Sequence, residues 1–380
     1  MKIGIDCRLF SSNFTGIGRY TYELTKNLFK IDSKNHYVLF FNDPEFHAYI
    51  PPAHNVKKVL VNARHYSLAE QIKFLRALNK EKLDLMHFTH FNAPIFYFRP
   101  SIVTIHDLIV SFFPGRKNKS CLKKLAYNIV LKTVTKKAKK IIAVSEHTKK
   151  DLIKILKIKS EKISVIYEGI GEEFQRVKPK EVLELTKQKY GIDKPCILYT
   201  GVYRYHKNIT GLLKAFKILK DKFHAPHKLV ITGREDPYYP DVRRMAHDLG
   251  LKDDVIFAGL VPEEDLIALY SCADLHALPS FYEGFGFTPL EAMACGTPTA
   301  VSHTSSLPEI CGKAAIFFDP HDIKEMASTL HKALADEDLR KRLIKAGYER
   351  VQMFKWENLA KQTLEVYNNL LTKNPAPPKT

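Results

Sequence analysis

Short, nearly continuous apolar runs alternate along this chain with segments whose apolar residues recur at helical spacing. Lys2–Asp6 is the first apolar run. From Gly18 to Lys30, Tyr20, Leu24 and Leu28 fall at i, i+4 and i+8, one face of a helix. Tyr37–Phe41, Leu83–Phe88, Ile102–His106, Ile141–Val144 and Ile163–Tyr167 read as further strands, with helices at Leu68–Leu78 and Leu122–Ala138. Ser145 is placed to cap a helix over Glu146–Leu156. The scheme then restarts. Cys196–Thr200, Leu229–Thr232, Val255–Ala258, Leu275–Leu278 and Thr299–Val301 read as strands. Ile209–Asp221, Val242–Leu249, Asp265–Cys272, Phe287–Ala294 and Asp322–Ala335 read as the helices between them. Strands without polar alternation, separated by helices, predict parallel sheets covered on both faces.

The expected architecture is therefore α/β, with two doubly wound domains at 1–175 and 176–355. The charged stretch Glu168–Lys180, with Pro179, serves as the linker, and a helix at about 356–372 packs back on the first domain. Two such sheets are expected to face a central cleft at the C-terminal ends of their strands, where ligands of this architecture bind. The Pro-rich tail Lys373–Thr380 is expected to be disordered.

A length of 380 residues suits two domains. No apolar run approaches the roughly 18 residues of a spanning helix, and charges interrupt the start where a signal peptide needs its apolar stretch. The expected location is the cytoplasm. The six cysteines are scattered without a Cys-x-x-Cys pair, which favours buried thiols over disulfides or a zinc site. The net charge of +18 is unevenly spread. Residues 101–150 carry twelve Lys/Arg against two acids, while 251–300 carry one Lys against eight acids. Lys117–Lys140 mixes Lys with Leu, Ile and Val, as an amphipathic helix on an anionic membrane does, and the segment 116–140 is a candidate for that contact; a solvated helix face is the plainer reading.

The densest chemical signal is Pro279-Ser-Phe-Tyr-Glu283-Gly284-Phe285-Gly286-Phe-Thr-Pro-Leu-Glu291, followed by Gly296-Thr-Pro298. It runs from an expected strand into an expected helix. Gly284 and Gly286 let backbone approach a ligand closely. The helix start then directs free N–H groups at an anion such as a diphosphate. Glu291 suits ribose hydroxyls, as the acidic residue of dinucleotide sites does, and Glu283 suits sugar hydroxyls.

This stretch resembles the E-x7-E signature of the retaining glycosyltransferases of family 4, in the mannosyltransferase-B-like branch. Other segments follow in the family's order: Thr15-Gly16-Ile-Gly18, Val103-Thr-Ile-His106-Asp107, Ala143-Val-Ser145-Glu146, Tyr199-Thr-Gly201 with Lys207-Asn208, Ile231-Thr-Gly233-Arg234, and Ser305-Ser-Leu-Pro-Glu309. The resemblance spans Lys2 to about Tyr367. It implies the GT-B fold, two Rossmann-like domains, and hexose transfer from a nucleotide-sugar, GDP-mannose preferred and UDP-sugars possible, to a glycan or lipid-linked acceptor in polysaccharide biosynthesis. The implied catalytic residues are His106, Glu283 and Lys207. Gly16, Gly18, Arg204, Lys207, Arg234, Gly284, Phe285, Gly286 and Glu291 would hold the donor. Where the family pattern places an arginine five residues before the lysine, this chain has Val202, so Arg204 or His206 stands in. His87 and His90 flank a strand end on the acceptor side. The implied mechanism is front-face attack without an enzymic nucleophile, and no catalytic metal or tightly bound cofactor is expected.

Three other readings stay open on the sequence. A basic nucleic-acid-binding protein would explain the charge, but stacking aromatics are not interleaved with it and no nucleic-acid partner is expected. A sugar-nucleotide epimerase or a phosphorylase would share the architecture with different chemistry. A non-catalytic scaffold is the third.

Overall fold

A computed structural model describes residues 1–10, 16–113, 121–177, 179–237, 239 and 241–372. The tail 373–380, Thr15 and the basic residues Arg116, Lys117 and Lys119 lie outside the described residues. The chain divides into two compact units. The first runs from Met1 to Leu108, resumes before the helix Cys121–Lys137, ends at Gly169 and takes back the chain from Lys355 onward. The second holds Ile170–Phe354 together with the short segment beginning at Ile109.

The first unit is built on a seven-stranded parallel sheet. Its strands are β1 Lys2–Asp6, β2 His36–Phe41, β3 Val56–Leu60, β4 Leu85–Phe88, β5 Ser101–Ile105, β6 Lys140–Ala143 and β7 Ile163–Val165. They lie in the order β3-β2-β1-β4-β5-β6-β7. Chain order reverses between β1 and β4, and that switch point is where doubly wound sheets leave a crevice. Apolar side chains fill both faces: Ile3, Ile5, Phe40, Met86, Val103, Ile105 and Ile141 are all buried. The last helix, Trp356–Thr372, lies against the helix Gly16–Ile31 of this unit. Tyr367 and His87 fix it there, with Oη and Nδ1 2.6 Å apart.

The second unit repeats the plan with six parallel strands: β8 Cys196–Thr200, β9 Lys228–Thr232, β10 Val255–Gly259, β11 Leu275–Leu278, β12 Thr299–Ser302 and β13 Ala315–Phe318. Their order is β10-β9-β8-β11-β12-β13, with the switch point between β8 and β11. The ends of these two strands release the loops that begin at Gly201 and Pro279.

Two strands escaped the sequence reading, β3 and β13, and both are sheet edges. β3 (Val-Lys-Lys-Val-Leu) has only its first residue buried, so it lacks the apolar run that marks a central strand. Lysines on an edge also discourage pairing with other chains. The segment Leu68–Leu78 is not one regular helix: a π-helical turn at Glu70–Phe74 precedes an α-helix at Leu75–Glu81. The expected linker is partly structured: Glu168 is buried in the first unit, and the chain becomes helical again at Lys180–Tyr190. Cys7, Cys196, Cys272, Cys295 and Cys311 are free thiols, all but Cys272 buried. Among the described residues no helix is long and apolar enough to cross a membrane.

Candidate active site

In the second unit the signal stretch follows β11. Its turn ends at Gly286, which sits at φ 116°, a backbone region closed to side chains. The helix Phe287–Ala294 begins directly after it and points its first N–H groups toward the switch point. Two serines from the loop after β12 fix the turn. Ser305 Oγ accepts the Glu283 N–H at 2.9 Å. Ser306 Oγ lies 3.0 Å from the Glu283 carbonyl and 2.6 Å from the Phe285 carbonyl.

Glu283 is buried, and its carboxylate meets Lys207. The Lys207 Nζ lies 2.7 Å from Oε1 and 2.9 Å from Oε2, and Ser280 Oγ donates to Oε1 at 2.6 Å. Burial alone pushes this carboxyl up, but the Lys207 charge and these hydrogen bonds outweigh it and hold Glu283 below its ordinary value. Lys207 comes from the loop after β8, where a tight turn at Tyr205–Lys207 leads into the helix Ile209–Phe223. Asn208 locks that turn. It adopts a left-handed conformation (φ 53°), and its buried Nδ2 donates to the carbonyls of Pro279 and Pro320 at 3.1 and 3.0 Å. Phe281 N–H donates to the His206 carbonyl at 2.7 Å, which ties the two loops together again. The pair thus stands at the switch point on rigid supports.

Eight residues after Glu283, Glu291 is buried on the inner face of its helix and accepts from Tyr270 Oη at 2.8 Å. The other expected donor residues divide. Arg204 is exposed and 4.0 Å from Asp236. Arg234 is also exposed, and its backbone carbonyl accepts from Tyr203 N at 2.9 Å. Gly233 packs so tightly on the Gly201 carbonyl that any β-carbon would collide with it. His206 is buried, and burial beside Lys207 brings its imidazole down to about 4, so it does not supply a cation in place of the arginine missing at Val202. The Phe285 ring is spent in the interior, packed on Phe287 and Phe354 at 5.3 and 5.7 Å. Aromatics flank the loops: Phe112 lies 5.2 Å from Tyr282, and Phe113 lies 6.0 Å from Tyr205.

In the first unit, Gly16 opens the helix Gly16–Ile31 and Gly18 is buried in its first turn. His106 follows β5 and is nearly buried. Its Nδ1 lies 3.0 Å from Glu168 Oε1 and its Nε2 lies 2.9 Å from the Thr89 carbonyl. The Thr89 carbonyl only accepts, so Nε2 carries a proton. With a carboxylate opposite Nδ1, the arrangement favours the doubly protonated ring. Burial lowers its pKa, but the Glu168 contact outweighs burial and raises it overall. Tyr20 meets the ring edge-on at 4.8 Å. His87 does not line a ligand surface: it is fully buried between Tyr367 and Thr104, and burial brings it down to about 3.

Sequence reasoning missed Glu168, Asn208, Ser280, Ser305, Ser306 and Tyr270 as supports of the site. Glu168 carried one usable signal, a carboxylate just past the end of an apolar strand. The serines stood inside the quoted motifs, but nothing local showed which atoms they would bond, and Tyr270 carried no signal, because only the fold brings it to Glu291.

Two family models match the chain, one described as Glycosyltransferase Family 4 over residues 14–174 and one as Glycosyl transferases group 1 over residues 184–350. The O-antigen chain mannosyltransferase B of Escherichia coli is 29% identical over 389 residues, covering 97% of this chain and 100% of that protein. An uncharacterized glycosyltransferase of Methanocaldococcus jannaschii is 30% identical over 316 residues, 79% of each chain. Among solved structures, sucrose-phosphate synthase from Thermosynechococcus elongatus superposes with a TM-score of 0.80 at 22% identity, over 98% of this chain and 100% of that one.

Proposed function

The chain belongs to the group 1 and family 4 glycosyltransferases, and on that premise we propose that it moves a hexose, mannose by preference, from a nucleotide-sugar to a glycan or lipid-linked acceptor with retention at the anomeric carbon. The observation that carries this reading is the Lys207–Glu283 pair beside the helix start at Gly286. An ammonium has three protons, and Glu283 takes at most two of them. The remaining donor capacity, with the helix N-terminus, suits a diphosphate whose charge grows as it leaves. Arg204 and Arg234, exposed at the ends of β8 and β9, suit the same diphosphate. Glu291, held by Tyr270, suits the ribose hydroxyls, and Gly284 and Gly286 suit close approach of backbone.

In this reading the acceptor hydroxyl attacks the anomeric carbon on the face that the diphosphate leaves. The carbon–phosphate-oxygen bond breaks, the new glycosidic bond forms, and the hydroxyl proton passes to the departing phosphate. Glu283 orients the sugar and holds Lys207; His106 is the proposed catalytic residue of the first unit, and both its nitrogens are engaged by Glu168 and Thr89. The preference for mannose rests on the mannosyltransferase named among the relatives.

The acceptor is proposed to be reached at the inner face of a membrane. Leu122, Leu125 and Ile129 stand exposed on the helix Cys121–Lys137, at i, i+3 and i+7, among Lys123, Lys124, Lys132 and Lys136. Two experiments test the function. Thermal shift with GDP-mannose, GDP-glucose and UDP-hexoses is expected to give the largest rise with GDP-mannose, about 2.7 kcal/mol at a hundredfold excess over Kd; a rise with UDP-sugars alone overturns the preference. Flotation with liposomes is expected to recover protein only when anionic lipid is present, and equal recovery without it counts against docking.

A further inference from the structure

At the switch point of the first sheet, a buried ionic network holds an exposed aromatic ring in a strained pose. Arg8, just past β1, forks onto Asp6 through Nε at 2.9 Å and Nη2 at 2.8 Å, and reaches Glu70 through Nη1 at 2.5 Å. Asn92, past β4, donates to both oxygens of Glu70 at 2.7 and 2.8 Å. The Arg8 guanidinium also lies over the Phe74 ring at 3.8 Å. Glu70 is fully buried and opens the π-helical turn, a distortion that tends to mark functional sites. Its second oxygen accepts the Tyr66 N–H at 2.9 Å. Tyr66 is thereby held at φ 59°, a conformation that costs a non-glycine residue on the order of 1–2 kcal/mol. The ring so fixed is not in the core: 67% of Tyr66 is exposed.

A strained backbone that displays an aromatic ring to solvent contributes little to folding. Its surroundings indicate what it serves. His90 meets the ring nearly edge-on, with centroids 6.4 Å apart. The Asn92 N–H donates to His90 Nδ1 at 3.2 Å, so the ring proton sits on Nε2, which has no partner among the described residues. A flat apolar face beside a single N–H donor matches a sugar ring, whose C–H face stacks while an equatorial hydroxyl accepts. The network beneath holds two carboxylates against one guanidinium, which disfavours a phosphorylated ligand. The Thr89 carbonyl, next to His90, is the one that anchors His106, so the platform adjoins the strand end already assigned to the reaction.

We infer that Tyr66 is a stacking platform for a neutral pyranose of the acceptor, with His90 Nε2–H donating to one of its hydroxyls. This rests on the transferase reading above. The test uses the full chain, without membranes, and water-soluble neutral trisaccharides ending in mannose, glucose or galactose. Wild type, Tyr66→Leu and Tyr66→Phe are compared in acceptor KM, kcat and donor-induced thermal shift. Tyr66→Leu keeps the apolar bulk but loses the flat face; it is expected to raise acceptor KM tenfold or more, with kcat and the donor shift changed far less. Tyr66→Phe is expected to restore KM to within about twofold. Unchanged KM in Tyr66→Leu overturns the platform alone. No transfer by wild type to any trisaccharide or to a lipid-linked glycan overturns the transferase reading and the platform with it.

Discussion

Each unit sets a buried glutamate past a strand end against a basic side chain, but the two pairs are balanced differently. In the second unit Lys207 faces Glu283, and the lysine charge wins over burial, so the carboxyl is held down. In the first unit His106 faces Glu168, and there burial wins on the glutamate, whose carboxyl is pushed up. The same contact raises His106, because both ring nitrogens meet acceptors. A lysine keeps its charge across neutral pH and has a proton to spare for an anion. The histidine can lose its charge, and its nitrogens are already engaged by the protein. The Lys207–Glu283 pair is suited to meet developing negative charge, and the His106–Glu168 pair to hold a strand end in place.

If that contrast is right, Lys207 is the most sensitive of these positions. Lys207→Ala is expected to lower kcat by about 10²–10³-fold, the range for removing a preorganised donor to a charge-bearing oxygen. It also leaves Glu283 buried and unpaired, at about 3–5 kcal/mol in stability. Lys207→Arg separates the two effects: it restores the melting temperature while kcat stays low, since a planar fork does not reproduce the ammonium geometry. A Lys207→Ala variant with nearly full kcat would erase the distinction between the pairs.

Glu291 comes next. It joins the second site through Tyr270 rather than through a cation, so its loss costs binding more than chemistry. Glu291→Ala is expected to weaken donor Kd about 10- to 100-fold, as for lost hydrogen bonds to a charged acceptor, with a smaller change in kcat. Isothermal titration with the donor checks it. Unchanged affinity would remove Glu291 from the ribose and make it a partner of Tyr270 only.

How much of this was legible in the sequence follows from where the information resides. Central strands announced themselves, because burial on both faces demands unbroken apolar runs; Cys196–Thr200 and Leu275–Leu278 fall where the pattern places them. Edge strand β3 did not, being largely exposed and interrupted by lysines, whereas the short run Ala-Ile-Phe-Phe of β13 is apolar and was simply not read as a strand. Lys207, Glu283, Gly286 and Glu291 were legible because they fall on two short segments, a loop and a loop-to-helix junction, with recognisable spacing. Asn208 was visible only as a neighbour of Lys207, since its role depends on carbonyls 71 and 112 residues away. Glu168 was read as linker, because nothing local to it reveals a histidine 62 residues earlier. The network under Tyr66 is less legible still: Asp6, Arg8, Glu70 and Asn92 meet only once the sheet has formed.

Glu168 offers the finest test of the comparison, because its expected effect is small at neutral pH and grows with pH. His106 has its folded pKa raised above the ordinary 6.5. Its contribution to stability is therefore fully present below 6.5 and is lost as pH rises through the folded value. Above that point Glu168 is left as a buried carboxylate against a neutral ring. Glu168→Gln removes the charge but keeps an oxygen to accept from Nδ1–H, so His106 no longer gains from protonation. The wild type is expected to lose melting temperature relative to Glu168→Gln as pH rises above about 6.5, the Glu168→Gln profile staying flatter, with kcat at pH 7 changed by a few-fold at most. Glu283 should show no such limb above pH 6.5, since it is held below its ordinary value and is ionised throughout. Parallel profiles for wild type and Glu168→Gln would mean that the first pair, like the second, carries a fixed charge.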